Sequence, residues 1–358
     1  MSEERLFVAL APTCVQTCLA KCAAPLAEVF AWDEQTWIKR ALPKRAWPLW
    51  QLHIRTVKPG PILDVCEKSE IRLIFRDDPD WPIRLNHLNK QTPSVLFVRG
   101  TLSLAPHIAI IGTRHPTTYG ERVTDYLIQE LQPSGACVLS GLALGTDGRA
   151  HAQALRHKLP TTAILGAGNS DTDIYPRIHL RLARDILAQG GAIVSEHPPG
   201  TPVLPGAFPA RNRLIAALCQ AVIVIEARER SGTLITARIA LELGRDVLAV
   251  PGSIFSDASL GTHQLLQAGA QPCLHANDIW KTLAIDAPTQ MRTQQQNLHL
   301  NKEDRSLVEI LQQSESGLTI DELSTRTNHS TDTLVAQLGL LELQGLVEQG
   351  PAGRWRTT

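Results

Sequence analysis

The sequence predicts an α/β fold for the central part of the chain, with a doubly wound parallel sheet. Between residues 105 and 280, short apolar and β-branched runs recur, and each is followed by a glycine, serine or proline loop and then a helical pattern. Right-handed crossovers place the carboxyl ends of such strands at one sheet edge, where folds of this kind bind ligands. The predicted strands are 108–111, 136–140, 161–166, 192–195, 221–226 and 246–250.

The first of these strands leads into a candidate phosphate-binding loop. The unbroken apolar run 108–111 is followed by Gly112, Thr113 and Arg114. Glycine lets the backbone approach a ligand closely, and arginine adds a permanent cation with a planar set of donors. A helix predicted over 120–131 points its N-terminal amides back at this loop. The alternative for this stretch alone is a purely structural strand-turn-helix corner.

Small residues also follow the later strands. Their backbone amides and hydroxyl groups suit anionic oxygens, and the last of these loops can cap a helix at the same sheet edge. No titratable cluster typical of a catalytic pocket accompanies them. The candidate binding residues in these loops are Ser140, Gly141, Gly166, Ser231, Gly232 and Thr233.

Residues 208–216 read FPARNRLIA and start a predicted helix. Two guanidinium groups and an amide beside an aromatic ring can hold a phosphate while a base stacks on the ring. The alternative is that one arginine pairs with Glu196 or Glu226 and fixes the loop. The candidate residues in this segment are Phe208, Arg211, Asn212 and Arg213.

Composition limits the possible functions. The 358 residues include 35 basic and 35 acidic side chains, which excludes a uniformly basic nucleic-acid coat, so a nucleic-acid surface must be local. The N-terminus does not read as a secretory signal and no apolar run is long enough to span a bilayer, so we expect a cytoplasmic protein without membrane contact. Seven irregularly spaced cysteines predict core packing, with neither a disulfide framework nor a metal site.

The C-terminal residues show a winged-helix pattern. Domains of this kind often read duplex DNA with their third helix, but residues 330–344 contain no lysine or arginine. We therefore predict a protein-interaction role for this domain. The predicted helices include Leu307 to Leu311, 320–327 and 330–344, and the strand-like ends are 346–348 and 354–356.

Seven motifs follow one another along the chain. They are GTR at 112–114, SGLA with GTDGRAH at 140–151, LGAGNSDTDIYP at 165–176, SEHPPG at 195–200, FPARNRLIA, EA with SGTLITA at 226–237 and GRDVLAVPG at 244–252. In order and spacing these motifs resemble those of the DprA (Smf) family of DNA-processing proteins. The resemblance implies an extended Rossmann-like domain that binds single-stranded DNA without a cofactor and forms a homodimer. It also implies that the protein protects incoming DNA and loads the RecA recombinase during natural transformation. The family's pocket arginines map to Arg114 and to the segment Arg211, Asn212, Arg213.

With this resemblance, we expect four segments along the chain. They are a helical, SAM-like domain at 1–65, the extended Rossmann-like DNA-binding domain at 66–282, a glutamine-rich linker at 283–300 and a winged-helix-like domain at 301–358. The sequence departs from the family at Leu144, where an arginine is usual, and at Thr146, which replaces an isoleucine. Pro205 lies where some relatives have a lysine. The arginine charge lost at Leu144 predicts a weaker or differently shaped phosphate contact, and at Pro205 the contact of that lysine is not available.

Two classes of enzyme compete with DNA binding as interpretations of the sequence. A nicotinamide-dependent oxidoreductase would need G-x-G-x-x-G after the first strand, where this chain has G-T-R-H-P. A nucleotide phosphoribohydrolase of the LOG-like class shares the sheet, but its glutamate would fall on Thr236, which cannot act as acid or base. We therefore expect a protein that is not an enzyme.

Overall fold

The computed structural model describes residues 2–283, apart from 23, 41 and 205, and residues 302–357, apart from 313, 315, 316, 328, 344–346, 351 and 352. The chain divides into two compact units, Met1–Ile285 and Asp286–Thr358. The predicted linker, beyond its first residue, lies outside the described residues. The domain boundaries at 65 and 300 stay predictions.

Six short helices form the N-terminal part of the first unit, and tryptophans fill their core. Trp37 and Trp50 are fully buried, with ring centroids 6.3 Å apart, and Trp32 is also buried. Cys18 packs in the same core, which agrees with the core packing predicted for the cysteines. The helices are α1 (Ser2–Ala9), α2 (Thr13–Cys22), α3 (Leu26–Phe30), α4 (Glu34–Lys39), α5 (Trp47–Thr56) and α6 (Pro59–Lys68).

A nine-stranded sheet forms the rest of the first unit, in the order β1-β2-β6-β5-β4-β3-β7-β8-β9. The strands from β3 to β9 run parallel to their neighbours, whereas β1 and β2 add antiparallel at one edge. The strands are β1 (Ile71–Phe75), β2 (Val95–Gly100), β3 (His107–Ile111), β4 (Cys137–Ser140), β5 (Thr161–Leu165), β6 (Ala192–Ser195), β7 (Ala221–Val224), β8 (Asp246–Ala249) and β9 (Gln271–Pro272).

Helices cover both faces of this sheet, because alternate residues of each buried strand face opposite sides. Ile108 and Ile110 pack in one layer, whereas Ala109 and Ile111 pack in the other. One layer contains α7 (Thr118–Leu131), α8 (Thr146–Arg156), α9 (Leu180–Ala188) and α13 (Ala276–Thr282), and the other α10 (Ala207–Leu218), α11 (Gly232–Glu242) and α12 (Leu260–Gln267).

The predicted fold class is confirmed, and the six predicted strands begin and end within two residues of the observed ones. The antiparallel strands β1 and β2, which precede the predicted strands, extend one edge of the sheet. The two-residue strand β9 was not predicted. No helix among the described residues is both apolar enough and long enough to cross a membrane.

The second unit is a small winged helix. Leu323, Leu334 and Leu338 are fully buried in its core, together with Trp355 at 6% exposure. The two strands pair antiparallel, with Glu348 opposite Arg356. The predicted helices and both strand-like ends are confirmed. The elements are α14 (Lys302–Gln312), α15 (Ile320–Thr327), α16 (Thr331–Leu343), β10 (Val347–Gln349) and β11 (Trp355–Thr357).

Candidate nucleic-acid interface

The candidate site lies where the chain order of the sheet reverses. Strand β3 is flanked by β4 on one side and by β7 on the other, so the loops that leave β3 and β7 diverge. A crevice opens at such a point, outside the carboxyl ends of the strands. Here it forms a cavity of about 410 Å³, a volume in the usual range for a ligand site.

The structure brings nine of the thirteen predicted site residues to this cavity. They come from three segments, the loop after β3 and the N-terminal ends of α10 and α11, which are far apart in sequence but meet at the same sheet edge. Thr236, the position considered for an enzymatic glutamate, also lines the cavity and is almost fully buried. The nine residues are Gly112, Thr113, Arg114, Phe208, Arg211, Asn212, Ser231, Gly232 and Thr233.

Arg114 is an exposed cation of the site. Its guanidinium carbon lies 5.1 Å from the centre of the Phe208 ring, within the range of a cation–π contact. Tyr175 extends the aromatic surface, because its ring centre lies 5.9 Å from that of Phe208. Arg114 has no ion-pair partner in the described part of the chain. Its charge is therefore available to a ligand.

Arg211 is a buried cation at the back of the cavity, with 4% of its surface exposed. Its Nη1 donates a hydrogen bond to the carbonyl of Ile164, while its Nε has no hydrogen-bond partner within the described residues. Burial lowers the pKa of Arg211, and the charge of Asp147 opposes this shift. Burial likewise raises the pKa of the Asp147 carboxyl group. The guanidinium stays charged, because arginine keeps its proton in proteins.

Hydrogen bonds between the loops fix the walls of the cavity. Thr233 donates from Oγ1 to the carbonyl of Gly112 at 3.0 Å, which joins the start of α11 to the loop after β3. Thr146 donates from Oγ1 to the carbonyl of Thr113 at 3.1 Å. Ser231 caps α11 by accepting a hydrogen bond from the amide of Thr233. These hydrogen bonds join the loop after β3 to the starts of α8 and α11.

The loop after β3 also depends on a buried glutamate. Glu226 accepts hydrogen bonds from the backbone and the hydroxyl group of Thr117, at 2.9 and 2.5 Å. Thr117 in turn caps α7 by accepting from the amide of Gly120. Glu226 thus positions the residues between Arg114 and α7, and its carboxylate oxygens bind Thr117 and neither Arg114 nor Arg211.

The structure does not bring four of the predicted residues into the cavity. Ser140 is buried and donates its hydroxyl group to the carbonyl of Ile110, and Gly166 packs against the backbone of Ala207. Gly141 leaves room for the guanidinium of Arg211. These three residues support the site from behind.

Arg213 is the fourth residue outside the cavity. It forms a two-pronged ion pair with Glu196, with an Nη2 to Oε2 distance of 2.5 Å and side chains only 16% and 13% exposed. The structure therefore shows the alternative of a loop-fixing pair with Glu196 for Arg213. Arg213 therefore lies outside this cavity, and the expected phosphate contact at this residue stays a prediction.

Sequence reasoning missed two cations of the site. Arg228 and Arg230 line the cavity, both are exposed, and neither forms an ion pair in the part of the chain that the structure describes. They belong to the loop Glu226 to Ser231, which was interpreted only as a helix cap. The signal was present as E-A-R-E-R directly after a buried strand, at the edge already expected to bind ligands.

The fold and the cavity define a Rossmann-like protein with a cationic, aromatic-lined site at its switch point. The family model described as DNA recombination-mediator protein A matches residues 72–284, and that of the DprA winged helix domain matches residues 291–353. The chain therefore belongs to the DprA/Smf family of DNA-processing proteins.

Individual relatives agree with this assignment. The chain is 39% identical to protein Smf of Escherichia coli over 299 residues, which cover 80% of this chain and 78% of that protein. It is 43% identical to DNA processing protein DprA of Bacillus subtilis over 194 residues, 53% of this chain but only 64% of that protein. The structure of DprA from Streptococcus pneumoniae superposes with a TM-score of 0.65 at 30% identity, over 78% of this chain and 97% of that one.

A second solved structure is relevant to the site. DprA from Helicobacter pylori superposes with a TM-score of 0.53 at 31% identity, over 60% of this chain and 97% of that chain. That structure concerns the mode in which the Helicobacter pylori protein binds single-stranded DNA. The resemblance predicted from the motifs is thereby confirmed at the level of the family.

Proposed function

We propose that this protein binds single-stranded DNA at the cavity between β3 and β7 without altering it chemically. The observation that carries the proposal is the exposed guanidinium of Arg114 against the ring of Phe208, with the buried guanidinium of Arg211 behind them. Cations suit the phosphates, and the aromatic face suits an unpaired base.

The geometry favours a single strand over a duplex. Bases within a duplex are stacked on each other, whereas an unpaired base is free to stack on Phe208 or Tyr175. The cavity offers guanidinium groups, backbone amides and hydroxyl groups, which contact phosphates irrespective of sequence. We therefore expect binding with little sequence preference. The single-stranded DNA binding named for the Helicobacter pylori relative supports this proposal.

The absence of catalysis is also part of the proposal. Thr236 lies in the cavity where the LOG-like phosphoribohydrolases would place a glutamate, and a threonine hydroxyl cannot act as their acid or base. Asp147 is committed to Arg211 and to the backbone amide of Gly141, at 3.1 Å. Incubation with nucleoside monophosphates should release no free base. Measurable turnover would instead favour the phosphoribohydrolase.

We further propose that this protein protects incoming DNA and loads the RecA recombinase onto it, as a cytoplasmic homodimer. The description of the family model as a recombination mediator supports the loading role. For the winged helix we propose protein interaction, because Val335 and Leu340 on α16 are exposed and no basic residue lies on that helix. Light scattering and a RecA strand-exchange assay test these roles.

The replacement of Arg114 by alanine tests the binding site. We expect R114A to weaken single-strand affinity by about 1–3 kcal/mol and to reduce the salt slope by about 0.7, as for one lost phosphate contact. Matched single- and double-stranded oligonucleotides should be compared over a salt series. The control is R181A, because Arg181 on α9 is 94% exposed and lines neither this cavity nor the one described below.

Equal affinity and equal salt slope for R114A and the wild type would contradict the proposed site. The control variant should retain the wild-type slope, because a surface cation that touches no phosphate releases no counterion. Tighter binding of the duplex than of the single strand would contradict the proposed substrate.

A further inference from the structure

A second and larger cavity lies in the first unit, between the N-terminal helices and the sheet. Its volume is about 830 Å³. The loop between α1 and α2 and the end of α5 form one wall, while the start of β2 and the loop after β6 form the other. The residues that matter for its chemistry are Lys58, Lys90, Glu196, His197 and Arg213.

A hydrogen-bond network holds the two walls of this cleft together. Ser94, at the start of β2, donates its hydroxyl group to Oε1 of Gln16 on α2 at 2.6 Å. The amide nitrogen of Gln16 donates to the carbonyls of Ala9 and Ala11, both at 2.8 Å. Gln16 therefore links the loop before α2 to the start of β2 and fixes the two walls relative to each other.

The charges that face the cleft are predominantly positive. Lys58 and Lys90 line it, and neither forms an ion pair within the described residues. The one acidic side chain among the described lining residues is Glu196, whose charge is matched by the two-pronged contact from Arg213. His197 adds a further nitrogen donor at the rim. The cleft thus has the electrostatics of an anion-binding surface.

The cleft lies at the same edge of the sheet as the first cavity. Glu196 and His197 directly follow β6, so the cleft opens at the same carboxyl edge of the sheet as the cavity between β3 and β7. Helix α10 borders both, because Arg211 lines the first cavity and Arg213 lines the cleft. Three strand spacings of about 4.8 Å separate β6 from β3, so the two sites lie roughly 15 Å apart along the edge.

We propose that the cleft is a second binding segment for the same single strand, which extends from the first cavity past the start of α10. This inference rests on the proposed function. The described residues that line the cleft include no aromatic ring of Phe, Tyr or Trp, so it takes the sugar-phosphate backbone and leaves the bases free. A strand in a duplex rises about 3.4 Å per nucleotide and an unstacked strand is more extended, so the separation corresponds to at most about four or five nucleotides.

Affinity as a function of oligonucleotide length tests the inference. Oligothymidines from about 3 to about 20 nucleotides should be titrated onto the full chain, the variant K58E/K90E, the control K39E/K158E and R114A. The control makes the same change in net charge with two lysines that line neither cavity. Thermal unfolding midpoints should verify that each variant is folded.

We expect the wild-type affinity to rise once an oligonucleotide is long enough to reach the cleft. The affinity of K58E/K90E should not rise in this way. The variant should bind the long oligonucleotides roughly tenfold more weakly than the wild type does, and the shortest ones as tightly as the wild type does. The control should follow the wild-type curve, because its charges lie away from the strand.

Three results would overturn the inference. The first is a wild-type affinity that does not rise with oligonucleotide length. The second is that K58E/K90E and the wild type have the same affinity at every length. The third is that K58E/K90E loses the same affinity at every length, which would indicate a long-range charge effect only. If R114A still weakens the shortest oligonucleotides, the first cavity stands without the cleft. If R114A binds every length like the wild type, the proposed function itself fails.

Discussion

The guanidinium of Arg211 occupies the space beside Gly141, where any other residue would place its side chain. A Cβ atom at position 141 would lie 1.9 Å from Nη1 and 2.4 Å from the guanidinium carbon of Arg211. Arg211 is almost fully buried and also donates to the carbonyl of Ile164, so moving its guanidinium away from position 141 would break that hydrogen bond. Gly141, directly after β4, is therefore needed to leave space for the guanidinium of Arg211 and does not itself contact the ligand.

The substitution G141A should displace Arg211 and destabilise the first unit. We expect a loss of about 1–3 kcal/mol in the free energy of unfolding, as for overpacking in a core, together with weaker single-strand binding. Denaturant unfolding and DNA titration measure the two effects. The control is G60A, because a Cβ at Gly60 meets only an ordinary contact at 3.5 Å and lies within α6. If G141A is as stable as the wild type and binds DNA as tightly, Arg211 is not held in place beside position 141.

The substitution L144R should restore the charge that the family usually carries at this position. Leu144 is 41% exposed and lies between Gly141 and Gly145, in the loop whose Ala143 lines the first cavity. We expect a severalfold gain in single-strand affinity and an increase of about 0.7 in the salt slope. The control L274R places the same charge at a 62% exposed leucine that lines neither cavity. An equal gain for both variants would indicate a nonspecific charge effect.

The sheet and the location of the first cavity could be predicted because both depend on local signals. Apolar β-branched runs define the strands, and parallel strands bring the loops that follow them to one edge. These two signals are sufficient to predict that Gly112, Phe208 and Ser231 lie close together, although they are far apart in sequence. The departure at Pro205 lies outside the described residues, so its effect stays a prediction.

The different roles of Arg211 and Arg213 could not be predicted in the same way. Residues two apart on a helix point about 200° away from each other, so one faces the first cavity when the other faces the cleft. The sequence indicates that a helix starts there, but not which side of it meets Gly141 and which meets Glu196. That information depends on the packing of α10 across the sheet, which no local pattern contains.

The substitution R213Q should lower stability without affecting the first cavity. It leaves Glu196, with a side chain only 13% exposed, without its partner, and we expect a loss of about 1–3 kcal/mol in the free energy of unfolding. The affinity and salt slope for the shortest oligothymidines should stay at wild-type values. In the double variant E196Q/R213Q the loss should be smaller than the sum of the single losses, because no unpaired charge remains. Additive losses would contradict a coupled pair.

The stability of the first unit should depend on pH through His107, at the start of β3. Burial, followed by the charge of Arg84, lowers the pKa of His107 to about 4, whereas an unfolded chain has a histidine pKa of about 6.5. As the pH falls, His107 therefore takes up a proton in the unfolded state before it does so in the folded state. The contribution of His107 to the free energy of unfolding is complete above pH 6.5 and is lost as the pH falls toward 4, by up to about 1.4 kcal/mol per pH unit. Denaturant unfolding of the wild type and of H107N between pH 7 and pH 4 isolates this contribution, because all other titrating groups are shared. The stability difference between the two proteins should shrink as the pH falls, and parallel curves would show that His107 titrates normally in the folded protein.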